Sequence, residues 1–131
     1  MKRRIQVDVT LPIYDVAPGK CLVPAGLEAR TIHPGMTEDL VARVEVARGL
    51  VVGFACATEG LRVVRLRVGK HAAHFSSAGF PADAAADGIA IPARSVVVSQ
   101  EIAATFENCL GMPITPWAHF WIEVDRMPGG R

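Results

Sequence analysis

Apolar and polar residues alternate along much of this chain with a period of two, as they do in a strand that buries one face. Ile5, Val7, Val9 and Leu11 interleave with Arg4, Gln6, Asp8 and Thr10, and Pro12 closes the segment. A short extended piece is expected at Lys20–Val23, inside the turn-rich "YDVAPGKCLVPAG". Leu40 to Ala47 reads as a strand, with Val44 and Val46 opposite Arg43 and Glu45. "LVVGFACA" is a continuous apolar run whose Val and Phe content favours a strand covered on both faces. In "LRVVRLRVG", Val64, Leu66 and Val68 oppose Arg65 and Arg67. Strand signal returns in "IAIP" and in "SVVVSQEIAATFEN", where Val96, Val98, Ile102, Ala104 and Phe106 share one phase. The last strand is "PWAHFWIEVDR", residues 116–126.

Glycine and proline sit mainly between these runs, and no long helical period occurs. His33 precedes Pro34-Gly35, a turn pair, and Arg48-Gly49 and Glu59-Gly60 offer tight turns. Only "PADAAAD" suggests a helical turn, with Pro81 first and Gly88 as the stop. It lies in "KHAAHFSSAGFPADAAADG", a long segment without strand pattern, and such loops are often functional. Six to eight short strands with short connections predict an all-β fold, an antiparallel β-sandwich (jelly-roll-like) or a barrel. Residues 1–131 form one domain on this reading, with a short basic arm at 1–4 and a flexible tail at 127–131.

Half of the residues are hydrophobic, enough for a real core, but only 6% are aromatic, so aliphatic side chains and alanine must fill it. A formal net charge of +1 makes the chain as a whole no magnet for nucleic acid or anionic lipid. No apolar stretch approaches the roughly 18 residues of a membrane span, and the basic N-terminus lacks the apolar core of a secretory signal. A soluble protein of the cytoplasm or of a virion is expected. Cys21, Cys56 and Cys109 are odd in number and widely spaced, which reads as buried small hydrophobes in a reducing compartment.

No motif identifies a reaction, and neither catalysis nor a cofactor is expected. His71 and His74 have a helical spacing, and with His119 they are the alternative metal set, but nothing in the spacing of the three predicts convergence. Ser76 and Ser77 lack a nucleophile elbow, Cys56 sits in an apolar run, and Asp83 and Asp87 read as surface carboxylates. Lys2, Arg3 and Arg4 are candidate phosphate contacts at the arm. Arg62, Arg65, Arg67 and Lys70 crowd one strand without interleaved aromatics, which reads as a solvent face that blocks edge pairing, with phosphate contact as the alternative.

The terminal strand is the anomaly. Phe120, Ile122 and Val124 supply an ordinary core face, yet Trp117, His119, Trp121 and Glu123 share the other, and it carries both tryptophans of the chain. Tryptophan is enriched where surfaces meet partners, so these four residues are the candidate interface; the alternative is that residues 71–88 fold over them. The arm "MKRR", the excursion "VGKHAAHFSSAGFPA" and the segment "SVVVSQEIAATFENCLGMPITP" resemble those of small β-sandwich coat and decoration subunits of virus-like particles. The resemblance implies a non-catalytic structural subunit that binds copies of itself as a homo-oligomer or shell, with the arm near nucleic acid and no membrane contact. The alternative is a β-barrel that binds a ligand or a catalytic metal through its loop histidines.

Overall fold

The computed structural model describes residues 18–69, 71–74 and 79–125, with 71–74 and Pro92 described as backbone. The expected strand at 5–11, the arm at 1–4 and the tail at 127–131 lie outside these residues.

Two antiparallel sheets pack face to face, so the sandwich is realised rather than the barrel. The first sheet runs β1 (Lys20–Gly26), β9 (Ala118–Asp125), β3 (Arg48–Cys56), β7 (Ile89–Val97). The second runs β2 (Thr37–Arg43), β8 (Glu101–Asn108), β4 (Leu61–Val68), β5 (His71–His74), and β6 (Phe80–Pro81) also pairs with β4. The chain passes between sheets at β1–β2, β2–β3, β3–β4, β6–β7, β7–β8 and β8–β9, so nearly all strand partners are remote in sequence.

Period-two alternation places one row of each strand between the sheets. Val51 and Phe54 of β3 meet Phe120 and Ile122 of β9, and from the other sheet come Leu40, Leu66, Ile102 and Phe106. Phe54 anchors the centre, edge-on to Phe120 at 5.2 Å between ring centroids and tilted to Phe106 at 6.4 Å. In β3, Val51 and Phe54 are fully buried on the inward row, while on the outward row Ala55 is buried and Leu50 half-buried; a bulge falls between Val51 and Gly53.

Three expectations are corrected. The long segment read as lacking strands contains β5 and β6, whereas the helical turn expected in "PADAAAD" is present as a 3-10 turn at Ala82–Ala85, whose Ala82 and Ala85 plug the core. Strands this short carry too few residues to display a period. "SVVVSQEIAATFEN" is two strands, because the chain reverses at Val98–Gln100 with Ser99 at φ 75°, which leaves Val98 exposed. The second described strand begins at Thr37 and ends at Arg43, earlier than the expected 40–47.

The free edges are managed. Pro24 sits in the edge strand β1, where a missing N–H costs no ladder bond. On β2, the Val41 N–H donates to the Glu28 carboxylate at 3.0 Å and the Val41 carbonyl accepts from the Glu28 N–H at 2.9 Å. The Asp39 carbonyl accepts from Arg30 at 2.8 Å. This loop therefore occupies the backbone groups with which a second strand would pair.

Candidate interaction surface

One end of the sandwich is built by the β1–β2, β3–β4 and β8–β9 loops, and a single buried side chain ties the first and last of these together. Asn108 continues the inward row of Ile102, Ala104 and Phe106 to the point where the core ends. Its Nδ2 donates to the carbonyls of Ile32 and Met112, both at 2.8 Å, and its Oδ1 accepts from the Leu110 N–H at 2.8 Å. Its own backbone N–H donates to the Met36 carbonyl at 3.0 Å, and its carbonyl accepts from the Gly35 N–H at 3.1 Å. A buried amide is stable only with its polar atoms paired, and here the pairing locks two loops to one strand end.

Each loop adds its own restraint. His33–Met36 is a turn closed by the Met36 N–H on the His33 carbonyl at 3.0 Å, with Gly35 at φ +77°, a value that favours glycine. Ile32 and Ile114 exchange backbone bonds at 2.7 and 3.0 Å, and the hydroxyls of Thr31 and Thr115 lie 2.8 Å apart. The Cys109 N–H donates to the Gly60 carbonyl at 3.0 Å, and the Trp117 N–H donates to the Thr58 hydroxyl at 2.9 Å. On this held backbone four large apolar side chains face outward: Trp117 is 79% exposed, Met112 60%, Met36 50% and Leu110 46%. The sequence reading named Trp117 and missed the other three. The available signal was apolar residues within the Gly/Pro-rich stretches "HPGM" and "NCLGMP", where a solvated turn ordinarily carries polar ones.

The four candidate residues of the terminal strand do not act together. Trp117 precedes β9, at the loop end, whereas Trp121 lies within the strand and is only 3% exposed. Trp121 is therefore corrected from a partner contact to a residue enclosed by its own chain. It stands on the outer face of the first sheet, between Pro24 of β1 and Gly53 of β3, and outside the central core. His119, on the same face, meets the Trp121 ring edge-on at 4.9 Å between centroids. His119 is half-buried, and burial pushes its imidazole below the ordinary value of 6.5. Both His119 Nε2 and Trp121 Nε1 are enclosed without a hydrogen-bond partner among the described residues. Glu123 is half-buried on this face, beside Leu22 and Leu50.

The arginine-rich strand is also corrected. β4 is interior to its sheet, so Arg62, Arg65 and Arg67 guard no edge. They pair with carboxylates on neighbouring strands: Arg62 with Glu107, and Arg67 with Asp39 at 3.4 Å. Arg65 lies 4.0 Å from Asp39, whose carboxylate also accepts from Thr105 Oγ1 at 2.6 Å. Cross-strand from Arg65 and Arg67 lie Thr105 and Ala103, both buried beside the long arginine stems. The guanidinium groups thus lie against carboxylates of neighbouring strands, with Asp39 shared by Arg65 and Arg67, which weakens the alternative of phosphate contact.

The described residues contain no group of three or more His, Cys, Asp or Glu that could hold a metal. His33 is exposed in a loop, and His71 and His74 lie on β5, in the other sheet from His119. Cys56 is buried and burial raises its thiol, but Cys109 is exposed and Cys21 half-exposed, so the expectation of three buried cysteines is corrected. Asp83 and Asp87 are exposed, as surface carboxylates were expected to be. Ser76 and Ser77, with Lys2, Arg3 and Arg4, lie outside the described residues. A cavity of about 160 Å³ opens between the edges of β1 and β2, lined by Val23, Arg43, Glu45 and Ile122. None of the described helices is long and apolar enough to cross a membrane. No protein-family model matches the chain, and neither a curated protein nor a solved structure matches it.

Proposed function

We propose that this protein is a non-catalytic structural subunit that associates with copies of itself through the loop end of its sandwich. The observation that carries the reading is Trp117, exposed at the same loop end as Met36, Leu110 and Met112, on a backbone held by Asn108 and Thr58. Exposed aromatic and methionine side chains on a held backbone favour binding, because little conformational freedom remains to be lost when a partner arrives. The resemblance to coat and decoration subunits of virus-like particles agrees with a compact sandwich that presents loops at one end. The paired arginines of the second sheet favour a shell or decoration role over genome packaging.

Sedimentation or light scattering across a concentration series tests this. The wild-type chain is expected to associate, and Trp117→Ala to weaken association by about 2–4 kcal/mol, the usual cost of truncating an interface anchor, or roughly 30- to 1,000-fold in Kd. Met112→Ser is expected to act in the same direction, with the melting temperature nearly unchanged in both variants. A wild-type chain that stays monomeric at all accessible concentrations refutes self-association.

A further inference from the structure

Of the four methionines in the chain, Met36 and Met112 fall among the described residues, and both stand in the open, 50% and 60% exposed. Methionine ordinarily fills gaps in a core, yet neither of these belongs to the core here. The fold also brings them to one place. The Met36 carbonyl accepts from the Asn108 N–H at 3.0 Å, and the Met112 carbonyl accepts from Asn108 Nδ2 at 2.8 Å. One residue is therefore flanked by two methionines from different loops, β1–β2 and β8–β9, and their backbones are pinned while their side chains face water.

We propose that Met36 and Met112 are modification sites at which peroxide controls association, an inference that rests on the loop end being the self-association surface. Each thioether sulfur attacks one oxygen of hydrogen peroxide with a lone pair, so that an S–O bond forms as the O–O bond breaks. The displaced hydroxide takes the remaining proton of the transferred oxygen and leaves as water. The sulfur gives up two electrons and the peroxide accepts them, so no further reactant is needed. The product is a polar sulfoxide. In the free subunit water solvates it, because both side chains stand outside the core, and the fold is spared. At a contact between copies the sulfoxide oxygen must shed that water, and a backbone held by Asn108 leaves it little freedom to turn away. Leu110, at the same end, is inert to peroxide, so the sensitivity resides in the two methionines.

The test treats the full, dilute chain with hydrogen peroxide and then with dithiothreitol, which reverses disulfides and leaves sulfoxides. Peptide mass mapping is expected to place one added oxygen on each of Met36 and Met112. In sedimentation across a concentration series, the oxidised chain should associate at least roughly 10-fold more weakly than the untreated one, with its melting temperature unchanged. Methionine sulfoxide reductases, one for each epimer, should restore the original Kd. A chain carrying Met36→Leu and Met112→Leu keeps the apolar surface, and is expected to associate equally well before and after peroxide. It retains Met1, Met127 and the three cysteines, which makes it the control for oxidation elsewhere. An equal loss of association in this variant overturns the proposal, and so does a loss in the wild-type chain that the reductases fail to reverse. Unimpaired association of the oxidised wild-type chain overturns the proposal and leaves the loop-end reading standing. An untreated wild-type chain that never associates removes both.

Discussion

Asn108→Ala is the most informative perturbation of this molecule. It removes two donated bonds, to the Ile32 and Met112 carbonyls, and one acceptor, for the Leu110 N–H, each at 2.8 Å. A typical hydrogen bond contributes about 0.5–1.5 kcal/mol net, so the three together contribute at most about 4.5 kcal/mol. Two circumstances lower that figure. The Ile32 carbonyl still accepts from the Ile114 N–H at 3.0 Å, so it is not orphaned. Met112 and Leu110 border solvent, and water replaces the amide there. The expected loss is about 2–3 kcal/mol, or roughly 6–15 °C in melting temperature for a domain of this length. Thermal unfolding followed by circular dichroism reads it directly. Asn108→Asp is the sharper variant, because it keeps the volume and the acceptor but sets carboxylate oxygen against two carbonyls. It is expected to melt no higher than the alanine variant, and hydrogen exchange should show both adjoining loops losing protection. An alanine variant that melts within about 2 °C of wild type, or an aspartate variant that melts above it, refutes Asn108 as the tie between the loops.

The two tryptophans should separate folding from association: Trp121→Ala is expected to cost about 3–5 kcal/mol of stability in chemical denaturation, and Trp117→Ala less than about 0.5 kcal/mol. His119 gives a pH dependence with a definite sign. Its folded imidazole titrates below the unfolded value of 6.5, so the unfolded state binds the proton first as pH falls. Its contribution is full above that value and is lost as pH falls through it toward the folded pKa, so the stability difference between wild type and His119→Gln should shrink on acidification; a difference independent of pH refutes this. Gly79→Ala is expected to cost more than about 2 kcal/mol in the same assay, because its φ is +68° and an added Cβ would stand 2.1 Å from the Val63 carbonyl oxygen of β4.

What the amino-acid order determined by itself is local. The alternation in "LRVVRLRVG", broken only at Val63-Val64 where the strand bulges, and the unbroken apolar run around Phe54 favour strands, so the all-β class was legible without any knowledge of partners. Partner choice was decided elsewhere. Whether an outward row meets solvent, a carboxylate or another layer depends on strand order, and here the partners come from remote parts of the chain: β1 pairs with β9, and β8 lies between β2 and β4. Arg65 and Arg67 looked like edge guards until Asp39 and Thr105 appeared beside them. Trp117 and Trp121, four positions apart and equal in pattern, have opposite fates, because one precedes the strand at an open loop end and the other is buried in the middle of the strand, between Pro24 and Gly53. Asn108 carried no signal at all, since an asparagine at a strand end reads as a turn residue until three backbone partners converge on its amide. Periodicity reports which faces a strand has, and only the assembled sheets decide what each face touches.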